Sequence, residues 1–115
     1  AYQRIAGACW SPDGKRIAVI VRHASDAELF LVAAEGEDRT ATIRLTADIG
    51  YRPNWSPDGK YLLLWVRDDE GRRRLHRLEI DGDAAPEKLA HQDESGFNSD
   101  GIWSPDGKQI LWTRD

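Results

Sequence analysis

The chain offers few groups able to do chemistry. It has three histidines and one cysteine. His23, His76 and His91 are scattered along it, so a strand-surface or partly packed histidine is the expectation rather than a metal ligand. Cys9 lies beside Trp10 and reads as a small packed residue, not a reactive thiol. No serine is centred in the Gly-x-Ser-x-Gly elbow of a hydrolase nucleophile. There is no His-Glu-x-x-His zinc motif, no phosphate-cradling Gly-x-x-x-x-Gly-Lys and no EF-hand loop. Two charged stretches remain. Arg67-Asp68-Asp69-Glu70-Gly71-Arg72-Arg73-Arg74 could hold an anionic ligand or a partner, but it also reads as a solvated hairpin whose charges compensate one another. The acids of His91-Gln92-Asp93-Glu94-Ser95-Gly96-Phe97-Asn98-Ser99-Asp100 lack the spacing of a Ca²⁺ loop. This stretch reads as a connection that could line a binding mouth. No catalytic residue, cofactor site or metal site is expected.

What the sequence does repeat is a hexapeptide, Trp-Ser-Pro-Asp-Gly-Lys. Its copies begin at Trp10, Trp55 and Trp103, 45 and 48 residues apart. A period of that size belongs to repeat architectures, four-stranded propeller blades among them. Ser11-Pro12-Asp13-Gly14, Ser56-Pro57-Asp58-Gly59 and Ser104-Pro105-Asp106-Gly107 each match a type I turn, with Pro fixing φ at the second corner. Glycine at the fourth corner can take φ > 0 at no steric cost. Trp10, Trp55 and Trp103 bring large apolar surfaces to the strand ends before these turns. A ligand loop is the functional reading. Three identical copies suit a repeated structural corner better than a single site.

Strands are expected on either side of each turn. Ile17-Ala18-Val19-Ile20, Leu62-Leu63-Leu64-Trp65 and Ile110-Leu111-Trp112-Thr113 stand at matching positions. They are apolar on both faces, as in a strand sandwiched between two layers. The remaining strands are expected at 4–10, 28–34 and 41–45 in the first unit, with β-branched Thr40, Thr42 and Ile43 supporting the last. In the second unit they fall at 52–55, 74–80 and 87–90, and in the third around 101–103. Turns close the third strands at 35–38 and 81–83. The strands starting near Arg16, Tyr61 and Gln109 are expected to be the most buried in their sheets.

Composition bounds the function. Forty per cent apolar and 31% charged residues describe a folded unit, and a net charge of −4 argues against a general nucleic-acid surface. No stretch approaches the ~20 apolar residues of a membrane helix, so no membrane insertion is expected. A signal peptide is not visible, and a first residue other than Met allows for processing.

The hexapeptides, the branched apolar strands after them and the later Glu-Gly or Asp-Gly turns resemble the TolB-type WD40-like β-propeller repeat family. Pro53, two residues before Trp55, matches that family's usual proline, whereas Ala8 and Gly101 replace it elsewhere. The resemblance covers nearly the whole chain and implies an all-β propeller segment of about two and a half four-stranded antiparallel blades. The units run approximately over 1–46, 47–92 and 93–115. It also implies a non-catalytic recognition or scaffolding module, in a periplasmic or otherwise extracytoplasmic setting, with a protein or peptide partner. The alternatives within the family are the gating propeller of a prolyl-oligopeptidase-like serine peptidase and the sensor domain of a membrane-bound regulator. Ten strands fall short of the four to eight blades of closed propellers. The missing neighbours are expected from a longer chain or from other copies.

Overall fold

The computed structural model describes residues 4–35, 41–89 and 98–114. Its ten strands are β1 (Arg4–Trp10), β2 (Arg16–Arg22), β3 (Ala27–Ala33), β4 (Thr42–Ala47), β5 (Asn54–Trp55), β6 (Tyr61–Arg67), β7 (Arg73–Glu79), β8 (Glu87–Lys88), β9 (Asn98–Trp103) and β10 (Ile110–Arg114). They form three antiparallel meanders, β1-β2-β3-β4, β5-β6-β7-β8 and β9-β10, with every neighbour in sheet order also a neighbour in sequence. The described residues are all-β, as the repeated turns and the family resemblance imply. Among the described residues no helix is long and apolar enough to cross a membrane.

The first two sheets have two apolar faces because consecutive strand residues point to opposite sides and are apolar at both kinds of position. The register sets Ala18 opposite Leu31 and Ile20 opposite Leu29 on one face of the first sheet. It sets Leu62 opposite Leu78 and Leu64 opposite His76 on one face of the second. These two faces meet. Ala18, Ile20, Ala27 and Leu29 form one buried cluster with Ile49, Trp55, Leu62, Leu64, Leu78 and Ile80. A leucine so enclosed contributes about 1.5–3 kcal/mol. The opposite face of the second sheet carries Leu63 and Leu75, also buried, and it packs against β9. A Cβ at Gly101 would stand 2.6 Å from Leu63 Cδ2 and 3.4 Å from Leu75 Cδ1. The absence of a side chain there lets the two sheets close.

Two expectations change. Burial is shared between β2 and β3 and between β6 and β7 rather than concentrated in the second strands. In the third sheet β10 is not buried, since Leu111 is 71% exposed. Burial comes from a facing sheet, and no sheet faces that side of β10 among the described residues. β9 also begins at Asn98, earlier than the expected 101. The expected turn at 35–38 and the connection at 91–100 lie mostly outside the described residues.

Candidate functional site: the stacked turns and the sheet junctions

The three hexapeptides fold into one local structure. The Gly14 N–H donates to the Ser11 carbonyl at 2.9 Å, and the Ser11 N–H to the Arg16 carbonyl at 2.8 Å. Ser11 Oγ donates to Asp13 Oδ1 at 2.6 Å and accepts from the Arg16 N–H at 3.0 Å. Asp13 Oδ1 also accepts the Lys15 N–H at 2.9 Å. Ser56–Asp58–Lys60–Tyr61 and Ser104–Asp106–Lys108–Gln109 repeat the same bonds. Gly14, Gly59 and Gly107 take φ of 73°, 74° and 75°, the left-handed region that a side chain resists. The serine hydroxyl, and then the lysine backbone N–H, hold the carboxyls of Asp13, Asp58 and Asp106 below the usual carboxylate range.

The turns also stack. The Trp55 indole N–H donates to the Cys9 carbonyl at 3.0 Å, and that of Trp103 to the Asn54 carbonyl at 3.2 Å. Cys9 and Asn54 each immediately precede a motif tryptophan, so the Trp55 and Trp103 indoles reach back to the same place on the unit before each. The Arg16 guanidinium lies over the Trp55 ring at 5.7 Å, and the Tyr61 ring beside that of Trp103 at 6.5 Å. Arg16 and Tyr61 hold the same position after their own motifs. A Cβ at Gly59 would meet Pro12 Cδ at 3.9 Å, and one at Gly107 would meet Pro57 Cδ at 3.7 Å. Hence the structure brings Trp10 to Gly14, Trp55 to Gly59 and Trp103 to Gly107 into one column. Each member touches its neighbour through equivalent atoms.

Charge adds to the first junction. Arg16 Nη1 meets Asp81 Oδ1 at 2.7 Å, across from the first sheet to the β7–β8 turn. Asp48 accepts from Arg22 at 3.1 Å and from Arg67 Nε at 3.0 Å. Arg44 donates to the carbonyls of Glu79 and Ala84, both at 2.7 Å. Sequence reasoning missed these contacts. One signal was available: Arg22 and Arg67 both stand twelve residues after a motif tryptophan, where a shared partner could have been sought.

The charged hairpin at 67–74 is built differently from its expected solvated form. Asp68 Oδ1 accepts the N–H groups of Glu70 at 3.0 Å and Arg72 at 2.8 Å, and the Arg72 bond chiefly keeps its carboxyl low. Arg67 and Arg73 lie over the Trp65 ring at 5.6 and 4.9 Å. Arg74 is 1% exposed, opposite Val66 on the face turned to the first sheet, with Asp68 3.9 Å away. The sheet pleat, not charge, decides where that side chain points.

Among the described residues no group of three His, Cys, Asp or Glu is arranged to hold a metal ion. His23 pairs with Glu28. His76 is half-buried with Nδ1 donating to the Arg74 carbonyl at 2.8 Å, and burial lowers its pKa. Burial likewise raises that of Cys9, keeping it a thiol.

Comparison with known proteins fits this geometry. The solved structure of TolB from Acinetobacter baumannii superposes with a TM-score of 0.74 at 23% identity, covering 94% of this chain and 26% of that one. The Tol-Pal system protein TolB of Alcanivorax borkumensis is 31% identical over 93 residues, 80% of this chain and 20% of the relative. An uncharacterized peptidase of Bacillus subtilis is 39% identical over 66 residues, 54% of this chain and 9% of the relative. The chain thus spans a fifth or less of the length of these two relatives. The description "TolB beta propeller domain" matches residues 2–115, and the chain belongs to that family.

Proposed function

We propose that this chain is a recognition or scaffolding segment of a propeller, without catalysis of its own, serving a protein or peptide partner outside the cytoplasm. Its units run approximately over 1–46, 47–92 and 93–115. The observation that carries this reading is the fate of the motif side chains. Every motif serine is spent on its own aspartate and on the backbone N–H five residues on, across the same turn. No hydroxyl of this set is left with a histidine to activate it, as acyl transfer requires. Rigid turns stacked through equivalent atoms are suited to holding loops at fixed spacing. Membership of the TolB family and likeness to a Tol-Pal system protein support a protein partner and an extracytoplasmic setting.

Likeness to a peptidase favours a second reading, in which the segment belongs to the propeller of a hydrolase whose catalytic domain lies elsewhere in a longer chain. Labelling of the parent protein with a fluorophosphonate separates the readings. The expected result is no labelled serine at all. A labelled serine outside residues 1–115 would favour the peptidase, and labelling of Ser11, Ser56 or Ser104 would overturn the non-catalytic role of the segment itself.

A further inference from the structure

Five Asp-Gly links occur in the chain, beginning at Asp13, Asp58, Asp81, Asp100 and Asp106. In an unfolded peptide they are chemically alike: glycine has no β-carbon to shield its nitrogen, so that nitrogen can attack the aspartyl carboxyl before it. The fold separates them. In the three motif turns each carboxylate is held from within the turn, by its serine hydroxyl at 2.6 Å and by the lysine backbone N–H. The same bonds keep those carboxyls low, and an ionised carboxylate has no oxygen ready to leave as water. The N–H groups of Gly14, Gly59 and Gly107 are fixed to a serine carbonyl, each at 2.9 Å. Asp100-Gly101 lies within β9, with Gly101 buried. Asp81-Gly82 differs in each respect. It sits in the exposed turn between β7 and β8. The Asp81 side chain is 74% exposed, and it is held by Arg16 of another sheet at 2.7 Å, an ion pair that salt screens. The Gly82 N–H reaches the Ile80 carbonyl only at 3.2 Å.

We propose that Asp81-Gly82 is a modification site, where aspartate isomerises to isoaspartate and unties the first junction. The Gly82 nitrogen gives its proton to water and bonds to Asp81 Cγ, while an oxygen of the protonated carboxyl departs as water. Water then opens the cyclic imide at either carbonyl. One opening restores aspartate; the other leaves an isoaspartate whose main chain runs through Cγ. A water leaves and a water returns, so no oxidant or co-reactant enters. The consequence follows from what grips this turn. Arg44, on the first sheet, donates to the carbonyls of Glu79 and Ala84, both at 2.7 Å, and the added main-chain carbon falls between those anchors. The free carboxyl is then the former main-chain carbonyl, displaced from Arg16. Arg16 and Arg44 therefore lose their geometry in a single event. This inference is independent of the recognition role proposed above, since it concerns a covalent change at one seam.

The test ages the folded parent protein at neutral pH and maps its peptides, counting isoaspartate by enzymatic carboxyl methylation. Isoaspartate at Asp81 should accumulate about tenfold faster than at Asp13, Asp58 or Asp106, and concentrated urea should bring all four to within about twofold. Gly82→Ala supplies a variant that keeps the fold. The φ of Gly82 lies outside the left-handed region, and an added Cβ meets only Glu79 Oε1, at 3.4 Å. That variant should keep the wild-type melt and form isoaspartate at Asp81 about tenfold more slowly, because the β-carbon crowds the attacking nitrogen. Hydrogen exchange over 79–84 should quicken as the wild type ages and stay constant in the aged variant. Motif aspartates that isomerise as fast as Asp81 in the folded protein would overturn the site, as would a rate at Asp81 indifferent to Gly82→Ala. Isoaspartate at Asp81 without faster exchange would overturn the untying of the junction.

Discussion

The two sheet junctions are made by the same devices from different residues. In the first, a small residue, Ala18, stands on the receiving sheet, and at the inner strand of the arriving sheet sits a large one, the buried Pro53. In the second the sizes reverse, with Leu63 on the receiving sheet and Gly101 at the place of Pro53. Arg16 covers Trp55, while Tyr61 flanks Trp103. The first junction is further tied by Asp48 and Asp81. In the second, arginines 67 and 73 turn onto Trp65 of their own sheet, where their stems cover apolar surface and their charge meets the ring. What stays constant is the turn, the indole bond and the proline–glycine stack. What varies is volume: a large Leu63 meets a glycine at the second junction, whereas Ala18 and Pro53 hold the matching positions at the first.

Breaking the Leu63–Gly101 contact gives the largest expected effect. Leu63→Ala should cost about 2–5 kcal/mol, measured by urea melts, because Gly101 has no atoms to fill the space. Adding Gly101→Ala should return part of that loss, since the new Cβ occupies the vacated volume, whereas on its own it crowds Leu63. Strict additivity of the two changes would refute the pairing.

The shared turn comes next. Gly59→Val forces a β-branched residue into a φ of 74°, at an expected cost of about 1–3 kcal/mol. Lys60→Ala changes an exposed neighbour and should stay within about 0.5 kcal/mol. Equal losses would show that the turn does not depend on that backbone conformation.

Acid should distinguish the junctions by the smallest effect. Burial lowers the pKa of His76, which lies in the first junction. Its contribution is whole above the ordinary imidazole value of about 6.5 and declines as pH falls through the lowered one. The carboxyls of Asp13, Asp58 and Asp106 are lowered too. Theirs is whole above about pH 4 and lost as pH falls further. Melting temperature should therefore fall in two limbs. His76→Phe, which installs the residue found at the matching Phe30, should remove only the upper limb. A single limb unchanged by that substitution would contradict the assignment.

The turns were legible in the sequence because a type I corner is decided by four adjacent residues. Strand pairing was nearly so: aligning the two units on Gly36 and Gly82 matches Leu29 with Leu75 and Val32 with Leu78, as the register does. Burial was not legible. Whether Leu111 or Leu63 is enclosed depends on a sheet that comes later in the chain, and their local sequences look alike. Arg74 was misread because the sign of its charge suggested water, while the alternation that starts at Tyr61 and Arg73 sends it inward. Asp48 lies between the repeated strands, where the period says nothing.

The indole bond has a direction. Trp55 and Trp103 look toward the unit before them, and the covering residues Arg16 and Tyr61 toward the unit after them. Damage is accordingly asymmetric: losing Trp55 loosens the seam upstream and spares the one downstream, whereas losing Tyr61 does the reverse. Because every seam is sealed by half a set of parts from each side, a unit carries its own complete connectors. Duplication or exchange of a whole unit, cut between the end of β4 and Asn54, transplants both connectors together. A row of such units can lengthen or shorten in evolution without redesigning any seam, provided that the volumes meeting there still fit.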